Sequence, residues 1–362
     1  RLIRAMVRAC RKTGATGIWA MIGLCGAGSA FLNNTPIVVM AAPVVRDVAN
    51  SLKLDARRFL MPLSYVAVLG GCCTLIGTST NLLVDDMART SGQAPFTIFE
   101  ITPVGLVVAV AGGLYLMLFS GHLLKSSPRT EGPDPQEVAR HHVSHVDIAG
   151  DAIGDPRDFA EDHHFDLTKA LASVGVFIGV VALAAFNLIP IAAAAFAGAV
   201  LLILVRVIRP EEAYGGLRPE ILLLIAGMVV IGIALEETGL ASTATDWLVK
   251  SVDGFGPLMA LVLLYGGTLL LTELLSNATV AVLVTPLAVA LAESMGVSPR
   301  PFLVAVMIAG SAAFATPFGY QTNVLVYQMA GYRYMDFVKV GLPLNLVTWV
   351  VAVAAIHWFF PF

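Results

Sequence analysis

Long apolar runs alternate with short polar breaks along this chain. The runs at 101–124, 167–185, 191–205, 221–235, 302–327 and 337–360 carry almost no charge. Most are long enough to cross ~30 Å of hydrocarbon at about 1.5 Å per helical residue. They are apolar on every face, whereas a helix packed on a soluble core keeps one polar face. The pattern predicts an all-α polytopic membrane protein.

The polar breaks come in two matched sets. Phe31-Leu32-Asn33-Asn34-Thr35 is followed by Gly77-Thr78-Ser79-Thr80-Asn81, and Leu275-Ser276-Asn277-Ala278 by Gly319-Tyr320-Gln321-Thr322-Asn323. Asn34 precedes Pro43 by nine residues, as Asn277 precedes Pro286, and each proline precedes a phenylalanine, Phe59 or Phe302, by sixteen. Matched breaks inside apolar sequence point to an internal duplication whose site lies where the broken segments meet. The second copy reads as helices at 167–186, 191–208 and 219–237, a surface segment at 240–253, a re-entrant hairpin at 256–292, a broken helix at 300–330 and a last helix at 337–360. In the first copy only the later parts are legible: a surface segment at 1–12, a hairpin at 14–52, a broken helix at 57–88 and a helix at 99–124. The expected organisation is a partial N-terminal repeat over 1–124, a cytoplasmic linker over 125–165 and a complete inverted repeat over 166–362. The uneven halves, and a start at Arg1, lead to the expectation of a fragment lacking about three or four upstream spans.

Composition agrees, with 57% hydrophobic and 13% charged residues and a mean hydropathy of +0.81. The placement of charge adds more than its total. If residues 1–12 lie on the cytoplasmic side, all but three of the 22 basic residues fall in cytoplasmic segments, the exceptions being Arg89, Lys250 and Arg300. This threading sends the two hairpins in from opposite faces, so that their tips meet near the midplane. The linker holds five of the seven histidines, His141, His142, His145, His163 and His164, and reads as a solvated polar segment. Cys10, Cys25, Cys72 and Cys73 show no metal-ligand spacing. No basic patch interleaved with aromatics suggests nucleic acid.

Chemistry belongs to the breaks, because backbone carbonyls and amides cannot face lipid unpaired. At a hairpin tip one short helix ends in free carbonyls, suited to a cation, and the next begins with free amides, suited to an anion. Asn and Ser side chains add neutral oxygens and N–H donors without the cost of burying a carboxylate. A hard monovalent cation together with a small anionic substrate fits this set.

These four motifs, with Leu271-Thr272-Glu273-Leu274 and Ala315-Thr316-Pro317-Phe318 beside them, resemble the signatures of the divalent anion:sodium symporters. The resemblance covers nearly all of the chain outside the linker. It implies an inverted-repeat transporter fold with two re-entrant hairpins and two broken helices, sodium as the coupling ion, no other cofactor, and a homodimer. It also implies elevator-like movement in the cytoplasmic membrane. One sodium site would use Ser29, Asn33, Asn34 and the backbone of Gly77, and its counterpart Thr272, Ser276, Asn277 and the backbone of Gly319. The anion, sulfate or a di- or tricarboxylate, would meet Asn34, Thr35, Thr78, Ser79 and Asn81 from the first half. From the second half it would meet Asn277, Ala278, Tyr320, Gln321 and Asn323. Asn33 replaces the first Ser of the usual motif, Ala278 a Thr, and Ser79-Thr80 a Pro-Pro found in many dicarboxylate members. These departures, and the bulk of Tyr320, favour the branch grouped with sulfate permeases.

Glu273 is the one acid close to a hairpin tip, opposite Ala30 in the other copy. It reads as a coupling acid or as a support for the hairpin. A sodium/proton antiporter, or a proton-coupled anion transporter, is the alternative within the same superfamily. An intramembrane hydrolase, drawing on Ser29 with His122 or His357, lacks a supporting motif.

Overall fold

The computed structural model describes residues 14–124, 167–186, 188–189, 191–215, 230, 234, 238–239 and 256–362. The linker, both expected surface segments and nearly all of the expected helix at 219–237 lie outside the described residues. The described secondary structure is helical: α1 (Ala15–Ser29), α2 (Asn34–Ser51), α3 (Arg57–Gly71), α4 (Ser79–Thr90), α5 (Thr102–Leu123), α6 (Leu167–Ala185), α7 (Ile191–Leu204), α8 (Pro210–Gly215), α9 (Gly256–Thr272), α10 (Asn277–Ser294), α11 (Arg300–Ser311), α12 (Gln321–Ala330) and α13 (Tyr334–Phe359). Of these, α5, α6, α10 and α13 are long and apolar enough to cross a membrane.

The polar breaks in the sequence are where the helices stop. Between α1 and α2 the Asn33 carboxamide caps the new helix, accepting the Thr35 N–H at 3.4 Å. Between α9 and α10 the Ser276 hydroxyl accepts the Thr279 N–H at 3.1 Å. Helices α3 and α4 are separated by residues 72–78, and α11 and α12 by 312–320. Thr78 and Tyr320, the residues before α4 and α12, are both extended and neither caps its helix by side chain. The expected helix at 191–208 ends at Leu204, and Arg206 adopts a left-handed backbone, φ 57°, before the short α8.

The packing repeats itself. Helix α1 lies on α3 as α9 lies on α11, α2 touches α12 as α10 touches α4, and α5 and α13 pack on each other. Two glycines allow the last helices to approach the breaks. A Cβ on Gly105 would strike the Cys72 carbonyl, and one on Gly341 the Phe314 carbonyl. The core is large and apolar, with Tyr65, Phe302, Phe314 and Phe337 among its fully buried side chains. Outward, α5 exposes Leu106, Val110, Leu114, Leu118 and Phe119 and α6 exposes Leu171, Val174 and Ile178. Such bands suit a lipid-facing surface rather than water.

Candidate functional site

The two hairpin tips are built alike. In the first, the Ser29 hydroxyl at the end of α1 donates to Asn34 Oδ1 at the start of α2. In the second, Thr272 Oγ1 at the end of α9 lies 2.8 Å from Asn277 Oδ1 at the start of α10 and 2.8 Å from the Gly310 carbonyl oxygen. All four side chains are buried. Both asparagine oxygens therefore turn back toward the C-terminal end of the preceding helix, where free carbonyls carry partial negative charge.

Each tip is tied to the break beside it. Thr74 Oγ1 donates to the Ala30 carbonyl, and its counterpart Thr316 donates toward the Glu273 carbonyl at 3.4 Å. Gly77 and Gly319 sit against these loops, with the Ala30 carbonyl 3.0 Å from where a Gly77 Cβ would be and Thr316 Oγ1 2.9 Å from a Gly319 Cβ. Ser29, Asn33, Asn34 and Gly77 thus come together, as do Thr272, Ser276, Asn277 and Gly319. Ser276 is engaged as the cap of α10, its hydroxyl 2.6 Å from Thr279 Oγ1.

Residues of the second break reach across to the first tip. Asn34 Nδ2 donates to the Tyr320 hydroxyl at 2.5 Å, and Thr35 Oγ1 donates to Gln321 Oε1 at 3.3 Å. Thr78 Oγ1 lies 3.5 Å from the same Tyr320 hydroxyl. The N-termini of α2, α4 and α12 thereby converge on one spot. Helix N-termini with donor side chains between them can hold an anion. Asn33, Gly77, Thr78 and Ser79 also line a cavity of about 570 Å³ whose far wall is Ser173, Phe177, Val180, Gly198 and Leu202 of α6 and α7.

Asn81 and Asn323, expected among the substrate ligands, are fully buried and hold the loops that precede them. Asn81 Nδ2 donates to the Thr74 carbonyl at 2.9 Å, and Asn323 Nδ2 to the Ala313 carbonyl at 2.8 Å and the Thr316 carbonyl at 3.3 Å. Ala278 is buried and brings no polar group. Two supports escaped the sequence reading. Ser64 in α3 places its hydroxyl 2.8 Å from both Thr322 Oγ1 and Asn323 Oδ1. Asn345 in α13 donates to Glu273. A lone serine or asparagine within a long apolar helix is the signal that could have found them.

Glu273 itself is thoroughly engaged. Oε1 accepts the Ala315 N–H and Asn345 Nδ2, each at 2.7 Å, and Oε2 accepts the Thr316 hydroxyl at 2.8 Å. The carboxylate fixes the second break to the second tip and to α13. Among the described residues no three His, Cys, Asp or Glu side chains are grouped to hold a metal ion. Ser29 lies in the tip beside Asn34, and its oxygen is committed there rather than to a histidine.

Comparison with known proteins decides the family. The citrate transporter family matches residues 1–297 and 267–361. The chain belongs to that family. It is similar to an uncharacterised transporter of Synechocystis, 24% identical with 90% of this chain and 79% of the relative covered. It is also similar to a Chlamydomonas reinhardtii protein described as a putative sulfur deprivation response regulator, 25% identical over 90% of this chain and 83% of that one. Sodium/sulfate cotransporter 1 of the same alga is 42% identical over 103 residues, 26% of this chain and 12% of that protein. These relatives agree with the resemblance drawn from the motifs. The citrate transporter family member described here is a multi-pass membrane transporter, and not an enzyme.

Proposed function

We propose that this transporter imports a small divalent anion, sulfate foremost, across the cytoplasmic membrane by coupling to sodium. The observation that carries the reading is the two-ended use of Asn34. Its amide oxygen belongs to the Ser29 set at the end of α1, and its amide nitrogen points to the convergence of helix N-termini at Tyr320. A cation on one side and an anion on the other would then share one side chain. Asn277 with Thr272 supports a second cation position of the same design. The name of the Chlamydomonas sodium/sulfate cotransporter supports both the ion and the anion.

The matched tips, breaks and packing favour two inverted repeats. In this reading α1–α4 and α9–α12 form the body that moves with its ligands, while α6 and α7 belong to a scaffold that a second copy completes. The cavity between that body and α6/α7 is where such sliding would take place. Glu273 acts as a support in this scheme, since all three of its contacts tie structure together. A coupling proton on Oε2 would reverse the Thr316 hydrogen bond, the carboxyl donating where it now accepts.

The decisive experiment is uptake of labelled sulfate into proteoliposomes with and without an inward sodium gradient, with succinate and citrate as competitors. Sodium-driven uptake is expected. Uptake that ignores the gradient would rule the coupling out, and sodium-driven succinate uptake without sulfate uptake would move the protein to carboxylates.

A further inference from the structure

The two halves differ at one buried hydroxyl. Behind the second break, Ser64 of α3 lies 2.8 Å from both Thr322 Oγ1 and Asn323 Oδ1, so those two oxygens share a partner. The spacing that sets Phe59 against Phe302 sets Ser64 against Met307 of α11, and the matched motifs set Thr322 and Asn323 against Thr80 and Asn81. Met307 is fully buried and has no O–H to offer. Thr80 Oγ1 and Asn81 Oδ1, in residues that are also fully buried, have no hydrogen-bond partner among the described residues. The Asn81 amide is nevertheless held as its counterpart is. Asn81 Nδ2 donates to the Thr74 carbonyl as Asn323 Nδ2 donates to that of Thr316, which turns the two oxygens the same way.

A third oxygen belongs with these. Ser311 stands four residues after Met307, on the same face of α11, and its fully buried hydroxyl also has no partner among the described residues. Helix α4 packs on α11, with Thr80 Cγ2 only 3.3 Å from where a Cβ on the adjacent Gly310 would be. Buried polar atoms in native proteins are nearly all partnered, so three in one place that reach no protein group call for a small guest. Their chemistry selects it. Two hydroxyl oxygens and a carboxamide oxygen repeat the kinds of group at the hairpin tips, and Ser311 ends α11, where free carbonyls carry partial negative charge. The set includes no carboxylate, on which calcium and magnesium sites draw, and so suits a monovalent ion.

We infer that Thr80, Asn81 and Ser311 hold a further sodium ion, separate from the two at the hairpin tips. The inference rests on the sodium-coupled reading above and adds a position to it. The new position adjoins the second tip, since Thr272 Oγ1 lies 2.8 Å from the carbonyl oxygen of Gly310, the residue before Ser311. It has no equivalent in the other half, where the Ser64 hydroxyl does directly what the ion does here.

The test uses the full chain purified in detergent, measuring bound radioactive sodium by equilibrium dialysis and thermal stability in choline chloride. Thr80→Val and Ser311→Ala each remove one oxygen with little change of shape. Each is expected to weaken one sodium position by about tenfold, the worth of one good ligand contact. In choline each should be as stable as the wild type or more so, because a buried hydroxyl without a partner is costly. Thr80→Val combined with Thr272→Val should lose more sodium than Thr272→Val alone. Unchanged sodium binding in both single variants would overturn the inference, assign the three oxygens to water, and leave the tip positions standing. A double variant that loses no more than Thr272→Val, or sodium binding lost together with stability in choline, would overturn it as well. Wild-type protein that binds no sodium would overturn the sodium-coupled reading, and this position with it. Should Thr80→Val fail to fold, Ser311→Ala decides.

Discussion

Arg57, at the start of α3, forms a 2.7 Å ion pair with Asp336 near the start of α13, and both side chains are almost fully buried, at 6% and 3% exposure. The corresponding pair is made in the opposite sense. Arg300, at the start of α11, reaches Glu100 just before α5, at 3.5 Å and with both side chains about a quarter exposed, 27% and 25%. Each half thus lends its arginine to the other half's acid. Tyr332 reinforces the buried pair: its ring lies under the Arg57 guanidinium, 5.4 Å away, and its hydroxyl donates to the Arg57 carbonyl. Burial pushes the Tyr332 phenol's pKa up, which keeps that donor proton in place.

The two pairs should differ in energetic weight. Removing one partner of a buried pair leaves an uncompensated charge and costs about 3–5 kcal/mol, whereas an exposed pair contributes about 0–1 kcal/mol. Arg57→Met should therefore lower stability in detergent by several kcal/mol, and Arg300→Met, which also gives up a hydrogen bond to the Pro95 carbonyl and a place over the Phe96 ring, by less. Equal losses in a denaturant titration of the two variants would contradict the assignment.

Gly105 and Gly341 should resist substitution. An added methyl would drive a backbone carbonyl away at the edge of each break, a form of overpacking that costs about 1–3 kcal/mol or more. Gly105→Ala and Gly341→Ala are expected to reduce folded yield and to weaken sodium dependence of transport together. Gly113→Ala, with nothing within 4 Å of the new methyl, serves as the control and should be silent or slightly stabilising.

Glu273→Gln and Glu273→Ala should separate support from proton coupling. Glutamine can still accept the Ala315 and Asn345 N–H groups and can donate to Thr316, so the loop keeps its ties. The Gln variant is expected to transport with an unchanged pH profile and a modest loss of sodium affinity. The Ala variant leaves those groups unpaired and should lose about 2 kcal/mol or more of stability. A pH profile flattened in the Gln variant, with stability intact, would assign the proton to Glu273.

Ser64→Ala tests the buried polar cluster behind the second break. Thr322 and Asn323 both use the Ser64 hydroxyl, and losing it leaves buried polar atoms without a partner at about 1–3 kcal/mol. Lower thermal stability with an unchanged sulfate KM is the expected result, because the serine supports the loop and does not face the ligand.

Much of this was visible in the residues because each break is chemically unlike its surroundings. Asn33 and Ser276 announce new helices through their capping side chains, and Gly77 and Gly319 interrupt runs that would otherwise continue. The matched spacing of the breaks was legible in the sequence alone. What spacing could not reveal is which half a side chain reaches. Asn34 and Tyr320 are 286 residues apart, and the swapped acids of Arg57 and Arg300 depend on how α5 and α13 pack. Asn81 and Asn323 look like ligands because they stand beside ligand-type residues, yet their amides face inward to loop carbonyls. Local sequence specifies the kind of group at a break, whereas its direction is settled by the packing of the whole.

The Asn34 side chain is a flat amide, and its two ends cannot be aimed independently. Any event that holds the oxygen end in place also fixes where the nitrogen end points, so the motional freedom lost on the first binding event is not lost again on the second. Two ligands that meet such a group from opposite sides favour one another without touching, and by reciprocity each strengthens the other by the same factor. Cooperativity of this kind requires no travel of the backbone. It is available to a side chain of one rigid plane.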